Sequence, residues 1–489
     1  MIGNHNSAHF RTLLQNAEKR HSIHYQKKLS KLNDLYQQSN NDEQSKFLKV
    51  FDEEWKNIEK GQQYASELAE IDKEARKLCA TYPIVGSSLL DLRQHPSERI
   101  HWLQSSLIAA QRLNSRANEG ACLALLGISY TALGEPRRAI NEFFLPAFNI
   151  ARETHAPINV KTDILMNTGS AYYRLGEFRL AINFYELARE HGNRHTEATA
   201  LVSLGTAYAA LGELHRAIEI FKKYLELALT IGDLRTKGIV LGNLGSAYLD
   251  IGEPHRAIVY FKQYLHIARN LGDHHGEAQS LGSLGLAFAN SGDLHRAIKF
   301  YEETLRVNQE INNRSGESQT FNNLGLTYKN LGEFRHAIEL YEKALVIARE
   351  IGDRYGEGKI LGNLANAYRD LGQSDLAIKL YKQRLAIAHE TGDRLGEGTV
   401  LGNLGVAYNK LGDFHLALEY YNQQLAITRE IGDRRGEGNA LWNMCLTLDE
   451  IGNRLQAIAH AEKALNIFEQ IQDPNAIMVR QTLIEWRYK

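Results

Sequence analysis

The stretch GDRYGEGKI, residues 352–360, carries the residue types of a phosphate-binding loop: glycines that bare backbone N–H groups, and a lysine able to reach a terminal phosphate. Such a loop reads GxxxxGK[ST], with the hydroxyl holding magnesium. Here Gly352 lies one residue too far from Gly358 and Lys359, and Ile360 stands where the hydroxyl is required. Other constellations fail in the same way. His215, His255, His295 and His415 recur in one register and His274 adjoins His275, but no cysteine or carboxylate accompanies them at zinc-ligand spacing. No serine stands in a GxSxG motif, and Cys445 takes the place of a repeated glycine at a core position, where a thiol is simply buried. Asp52, Glu53 and Glu54 of FDEEW would point in different directions on a helix, which suits a solvated face around Phe51 and Trp55 better than an acid and base pair. The residues indicate no enzyme, no metal and no cofactor.

The bulk properties exclude further classes. Lys plus Arg total 57 against 58 for Asp plus Glu, so no basic field favours nucleic acid as the main partner. Cys79, Cys122 and Cys445 are too few and too scattered for a disulfide scaffold, which fits a reducing compartment. The opening MIGNHNSAHF lacks the charged and apolar regions of an export signal, and no run approaches the roughly 18 apolar residues of a membrane span. A cytoplasmic protein with no membrane partner is expected.

The elements that position all these residues are repeated. Ala-Ile or Ala-Leu pairs begin at Ala139, Ala181, Ala217, Ala257, Ala297, Ala337, Ala377, Ala417 and Ala457, the last seven 40 residues apart. GDRYGEG returns in register as GDRLGEG from Gly392 and GDRRGEG from Gly432, with altered copies from Gly272 and Asn312. A catalytic loop has no need of several copies at constant spacing. A turn does: Gly352 ends one helix in the left-handed conformation and Asp353 caps the next. Each period holds two helical patterns. Leu361, Leu364, Ala365 and Tyr368 fall on one face before Gly372; Ala377, Ile378, Tyr381, Leu385 and Ala388 on another before Gly392.

The unit Asn323–Leu345, NLGLTYKNLGEFRHAIELYEKAL, resembles the tetratricopeptide repeat, with its Leu, Gly and Tyr on the first helix (A) and its Ala, Tyr and Ala on the second (B). The period exceeds the common form of about 34 residues and is similar to the longer variety found in kinesin light chains, G-protein regulators and bacterial signalling proteins. The resemblance implies an all-α fold, a right-handed solenoid of helix-turn-helix units. In it Gly325 and Ala337 would let paired helices approach, while Tyr328 and Tyr341 fill the space between layers. Nine units are expected over 119–470, preceded by a degenerate half repeat at 95–118 in which Ile100, Leu103, Leu107 and Ala110 match Ile338, Tyr341, Leu345 and Ala348. Residues 1–94 read as amphipathic helices broken at QQSNNDEQ, forming an N-terminal cap, and residues 471–489 as a capping helix with Pro474 at its first position. HFRTLLQNAE, FDEEWKNIEKGQQYA and DLRQHPSERIHWL resemble the segment leading into the repeat sensor of bacterial signalling ATPases of the NB-ARC type, without the nucleotide-binding domain.

In such an array the A helices line the inside of the curve. The residue before the core Leu-Gly pair of helix A recurs as Asn167, Ser203, Asn243, Ser283, Asn323, Asn363, Asn403 and Asn443, a polar ladder. Residues three and seven further on share that face, among them Ser170, Ser246, Asn366, Arg174, Asp250, Asn290, Asn330, Asp370 and Lys410. An asparagine amide both donates and accepts, so a row of them can bond the backbone of an extended peptide. In the family resembled, asparagine at this place contacts peptides; the same residues would also suit packing within a tight helix pair. The outermost row, mixing Arg174, Asp250, Asp370, Lys410 and Glu450, would supply selectivity, and its mixed signs argue against a clamp of several cations on a carboxylate. The expected function is a protein-interaction scaffold binding a peptide or partner helix in the concave groove. The alternative is a regulatory sensor whose superhelix changes pitch with a peptide ligand. Self-association is left open.

Overall fold

The computed structural model describes the backbone of residues 2–39 and 41–488, and side chains from 13 to 486 except 40–42, 229 and 231. Met1 and Lys489 at the ends of the expected caps, and Asn40 in the polar break, lie outside the described residues. Among the described residues every regular element is helical, and the chain divides into two compact units, Met1–Asp233 and Leu234–Lys489.

In the first unit, α1 (Ile2–Gln38) packs on α2 (Asn41–Leu68), and α3 (Lys73–Val85) packs on both. A second break, beyond the one read at QQSNNDEQ, precedes α3: Asp72 accepts hydrogen bonds from the N–H groups of Glu74 and Ala75 and caps it, while Lys19 of α1 holds the same carboxylate at 2.9 Å. A short α4 (Ser87–Arg93) leads to α5 (Pro96–Arg112), which packs against α3. Phe51 is buried in this core and Trp55 stacks on Trp102, while Asp52 pairs with Arg93 and Glu54 with Lys28. Two of the three FDEEW carboxylates, Asp52 and Glu54, are thus ion-paired around an aromatic anchor.

Helix pairs follow. They are α6 (Arg116–Ala132) with α7 (Pro136–Arg138) and α8 (Leu145–Glu153), then α9 (Ile158–Arg174) with α10 (Phe178–His191), and α11 (Arg194–Ala210) with α12 (Leu214–Ile231). Between α7 and α8 runs a π-helical turn, Ala139–Phe144. It has a physical cause: the first repeat carries one extra residue between its Ala and its core aromatic, and the wider turn absorbs it so that the Phe144 ring still lies on Gly127.

The second unit contains α13 (Leu234–Asp250) and α14 (Pro254–Asn270), α15 (His274–Asn290) and α16 (Leu294–Glu310), α17 (Arg314–Asn330) and α18 (Phe334–Glu350). It continues with α19 (Arg354–Asp370) and α20 (Ser374–Thr391), α21 (Arg394–Lys410) and α22 (Phe414–Ile431), α23 (Arg434–Glu450) and α24 (Arg454–Gln470), and ends on α25 (Asn475–Tyr488). The helix A glycine has a packing role: a Cβ on Gly325 would lie 2.7 Å from the Tyr341 ring. Where glycine becomes Cys445, the matching aromatic has become Ala461, so the thiol meets a methyl group in place of a ring. Tyr341 fills the interior as expected, whereas Tyr328 is half-buried and packs edge-on against His336. Ala337 is fully buried between α17 and the helices around it. Ala337→Leu is therefore expected to cost about 1–3 kcal/mol through overpacking, read as a lower melting temperature; unchanged melting would refute this packing register.

The GDRxGEG turn is a clip. Gly352 has φ 71° and the Asp353 Oδ1 accepts from the Gly356 N–H at 2.8 Å; a side chain on Gly356 would collide with that carboxylate. Glu357, 5% exposed, accepts from Arg349 Nε of α18 at 2.7 Å and from Arg354 Nη1 at 2.5 Å, and Arg354 Nη2 reaches Glu390 on α20. Glu357 thus ties α18 to α19, and Arg354 extends the network to α20. Glu317, Glu397 and Glu437 are buried in the same way beneath Arg314, Arg394 and Arg434. The division at Asp233 falls where the sequence places Leu234 and Lys237 in the positions of that arginine and glutamate.

Candidate functional site

In the second unit, successive A helices touch directly, α13 with α15, α15 with α17, α17 with α19 and α21 with α23, and no pair of successive B helices does so to that extent among the described residues. The A helices are therefore the more closely spaced layer of this unit. Each ladder residue lies on an A helix and is half-buried: Asn167 on α9 and Ser203 on α11 in the first unit, and Asn243, Ser283, Asn323, Asn363, Asn403 and Asn443 in the second. One turn on, Ser170 and Asn366 are half-buried and Ser246 is exposed. The outer row, Arg174, Asp250, Asn290, Asn330, Asp370, Lys410 and Glu450, is exposed throughout.

The hydrogen bonding differs along the rows. Asn363 Nδ2 donates to Asn322 Oδ1 across α17 and α19 at 2.9 Å, while the side chains of Asn243, Asn323, Asn403 and Asn443 have no hydrogen-bond partner among the described residues. Asn366 Oδ1 accepts from the Tyr381 hydroxyl at 2.5 Å, so it serves the core; burial pushes that phenol up to about 12. Ser170 similarly takes the Tyr185 hydroxyl. In the outer row, Arg174 reaches the Thr131 carbonyl, Asp370 pairs with Arg369 and Lys329, and Glu450 accepts from Asn409.

A pocket of ≈ 360 Å³ opens on this face, lined by His275, Gln279 and Ser283 of α15, Gln319 and Asn323 of α17, and Tyr301, Thr304 and Asn308 of α16. No carboxylate, lysine or arginine lines it. It exists because Thr304 is small. One repeat earlier Tyr264 occupies that column and its ring lies 3.2 Å from where a Gly242 Cβ would be, whereas Thr304 stays 3.6 Å from the Gly282 position and fills less of the gap. The buried Asn308 amide accepts from Asn313 at 2.8 Å and donates to Thr320. Periodicity on helix A finds Ser283 and Asn323 but not this pocket. Its signal is a column on helix B, Tyr264, Thr304, Ala344, Arg384 and Gln424, in which size and polarity vary while the surrounding core does not.

The other candidate chemistries are placed plainly. His215, His255, His295 and His415 are exposed at the starts of B helices, and no group of three or more His, Cys, Asp or Glu suited to a metal occurs among the described residues. All three cysteines are buried, and burial pushes the Cys79 and Cys122 thiols up to about 11 and Cys445 to about 12, away from nucleophilic thiolates. No described helix is long and apolar enough to cross a membrane.

Models of the tetratricopeptide repeat match residues 198–230, 236–310, 316–390 and 396–470, just over half of the chain. No curated protein matches it in sequence. Among solved structures, the apo form of RapI is similar with a TM-score of 0.54 at 15% identity, over 73% of this chain and 99% of that one. A Signal Transduction ATPase with Numerous Domains from Pyrococcus horikoshii, with a tetratricopeptide repeat sensor, gives 0.54 at 13% identity, over 89% of this chain and 72% of that one. The apo form of the quorum sensor NprR from B. thuringiensis gives 0.52 at 11% identity, over 73% and 99%. At these identities the likeness is one of fold.

Proposed function

We propose, from the premise that the chain belongs to the tetratricopeptide repeat family, that it is a non-enzymatic scaffold which holds an extended peptide, or a segment of a partner protein, along the A-helix ladder. The observation that carries this reading is the row of half-buried amides at Asn243, Asn323, Asn403 and Asn443, which bond nothing in the protein among the described residues. A polar group taken partly from water without a partner is costly, and a peptide backbone running across the row would offer both a donor and an acceptor to each amide. The exposed outer row, with its mixed charges, would then select among side chains. Residues 1–94 and 471–489 would cap the array.

The test is affinity capture from native lysate by the wild type and by the Asn323→Ala, Asn363→Ala, Asn403→Ala variant, followed by mass spectrometry. With about 0.5–1.5 kcal/mol for each hydrogen bond, the triple variant should bind a captured partner at least tenfold more weakly, about 1.4 kcal/mol or more, with unchanged helicity. Equal capture by both proteins would remove the ladder from the binding surface. A second reading, a regulatory sensor whose array changes pitch on binding, is favoured by the division at Asp233 within the repeats. In it, residues before the array would correspond to the lead-in of NB-ARC-type sensors, and solution scattering with and without a bound peptide should differ.

A further inference from the structure

Arg384 of α20 is half-buried, and among the described residues its guanidinium makes no hydrogen bond and no ion pair. A guanidinium presents five donors and cannot shed its charge at ordinary pH. Leaving it partly desolvated and unpaired is costly, and burial accordingly pushes its pKa down. Asp393, Tyr381 and Tyr355 act on it only through space, without a hydrogen bond or ion pair, and the polar groups around it are engaged with other partners. The carboxylate of Asp393 caps α21 through the Gly396 N–H at 2.8 Å, the Tyr381 hydroxyl donates to Asn366, and Asp370 is held by Arg369 and Lys329.

The position is built for this side chain. Arg384 lies on the backbone of α19 at Gly362, where a Cβ would overlap Nη1, and Gly362 immediately precedes the ladder residue Asn363. The column is that of Thr304, which two repeats earlier forms the wall of the open polar pocket between α15 and α17. Its other members are Tyr264, Ala344, Gln424 and Ala464, so a single repeat of the second unit carries a cation at this depth. It comes from helix B, outside the rows read on helix A, and requires no clamp of several cations.

Resting on the groove reading above, we propose that Arg384 is a carboxylate-binding residue that anchors an acidic side chain or a free C-terminus of the extended peptide at the Asn363 layer. The fork of a guanidinium matches the two oxygens of a carboxylate, and partial exclusion of water strengthens the pair.

The experiment selects amidated and free-acid random peptide libraries on the full chain and on Arg384→Gln. Glutamine is chosen because Gln424 occupies this column over Gly402 one repeat on, so the fold already accommodates it. The wild type should enrich Asp or Glu at one position in the amidated arm if a side chain is read, or bind the free-acid arm alone if a C-terminus is read. Arg384→Gln should still select peptides but lose that enrichment, binding the wild-type choice at least tenfold more weakly, and without peptide it should melt higher than the wild type. Peptides selected with no acidic preference in either arm would overturn the inference while leaving the groove reading standing. So would an unchanged preference in Arg384→Gln, or a lower melting temperature with unchanged selection. Selection of no peptide by either protein would overturn both.

Discussion

Tyr341→Ala is expected to lower the unfolding free energy by about 4 kcal/mol, within the range of about 3–5 for truncating a large aromatic in a core. The ring is fully buried among Ile338, Leu345, Leu361 and Leu364 and fills the hollow above Gly325, so neither helix can close the gap without moving its neighbours. The decisive companion is Tyr341→Phe. The Tyr341 hydroxyl is buried without a partner among the described residues, and burial raises its pKa, whereas the Tyr381 hydroxyl at the same register donates to Asn366. Removing an unsatisfied hydroxyl should stabilise, and removing a satisfied one should leave the Asn366 amide short of a donor. Tyr341→Phe is therefore expected to gain about 1 kcal/mol and Tyr381→Phe to lose about 1 kcal/mol, both read from urea denaturation by circular dichroism. The same sign for both would mean that the two hydroxyls have equivalent surroundings.

Glu357→Ala is expected to cost about 2 kcal/mol. Breaking a fully buried ion pair costs about 3–5 kcal/mol, but the two arginines on Glu357, Arg349 and Arg354, are 51% and 46% exposed and can regain water when the carboxylate is removed. The loss should appear in the helices linked by the Glu357–Arg354 network, α18 to α20, as faster amide hydrogen exchange there than in α24. Glu390→Ala, at the exposed end of the same network, should change stability little because that pair is open to solvent. If Glu390→Ala were as damaging as Glu357→Ala, the clip would depend on its exposed arm and not on the buried carboxylate.

Much of the fold was legible because the same physical problem is solved again in every period. A left-handed Gly352, a capping Asp353 and small residues at Gly325 and Ala337 are local requirements of backbone and packing, and they leave local traces. The break at Asp72 was not legible, since an aspartate followed by a helical pattern can cap or simply be solvated, and the choice rests on Lys19 arriving from α1. The π-helical turn at Ala139–Phe144 was detectable only as a one-residue slip against the other repeats.

The candidate site divides along the same line. By itself the sequence determined the ladder, since a residue's face on a helix follows from its position in the period, and it determined that GDRxGEG is a turn, since its copies keep a constant spacing. Tertiary structure alone decided which of those polar groups are already used. Asn363 and Asn366 find partners on other helices, while Asn323 and Asn403 find none among the described residues. It alone showed that Glu357 is a buried tie, that Thr304 leaves a pocket and that Arg384 lies unpaired against Gly362. The reason is physical: periodicity specifies where a side chain leaves its helix, but whether it is paired, crowded or free depends on atoms supplied by helices distant in the chain.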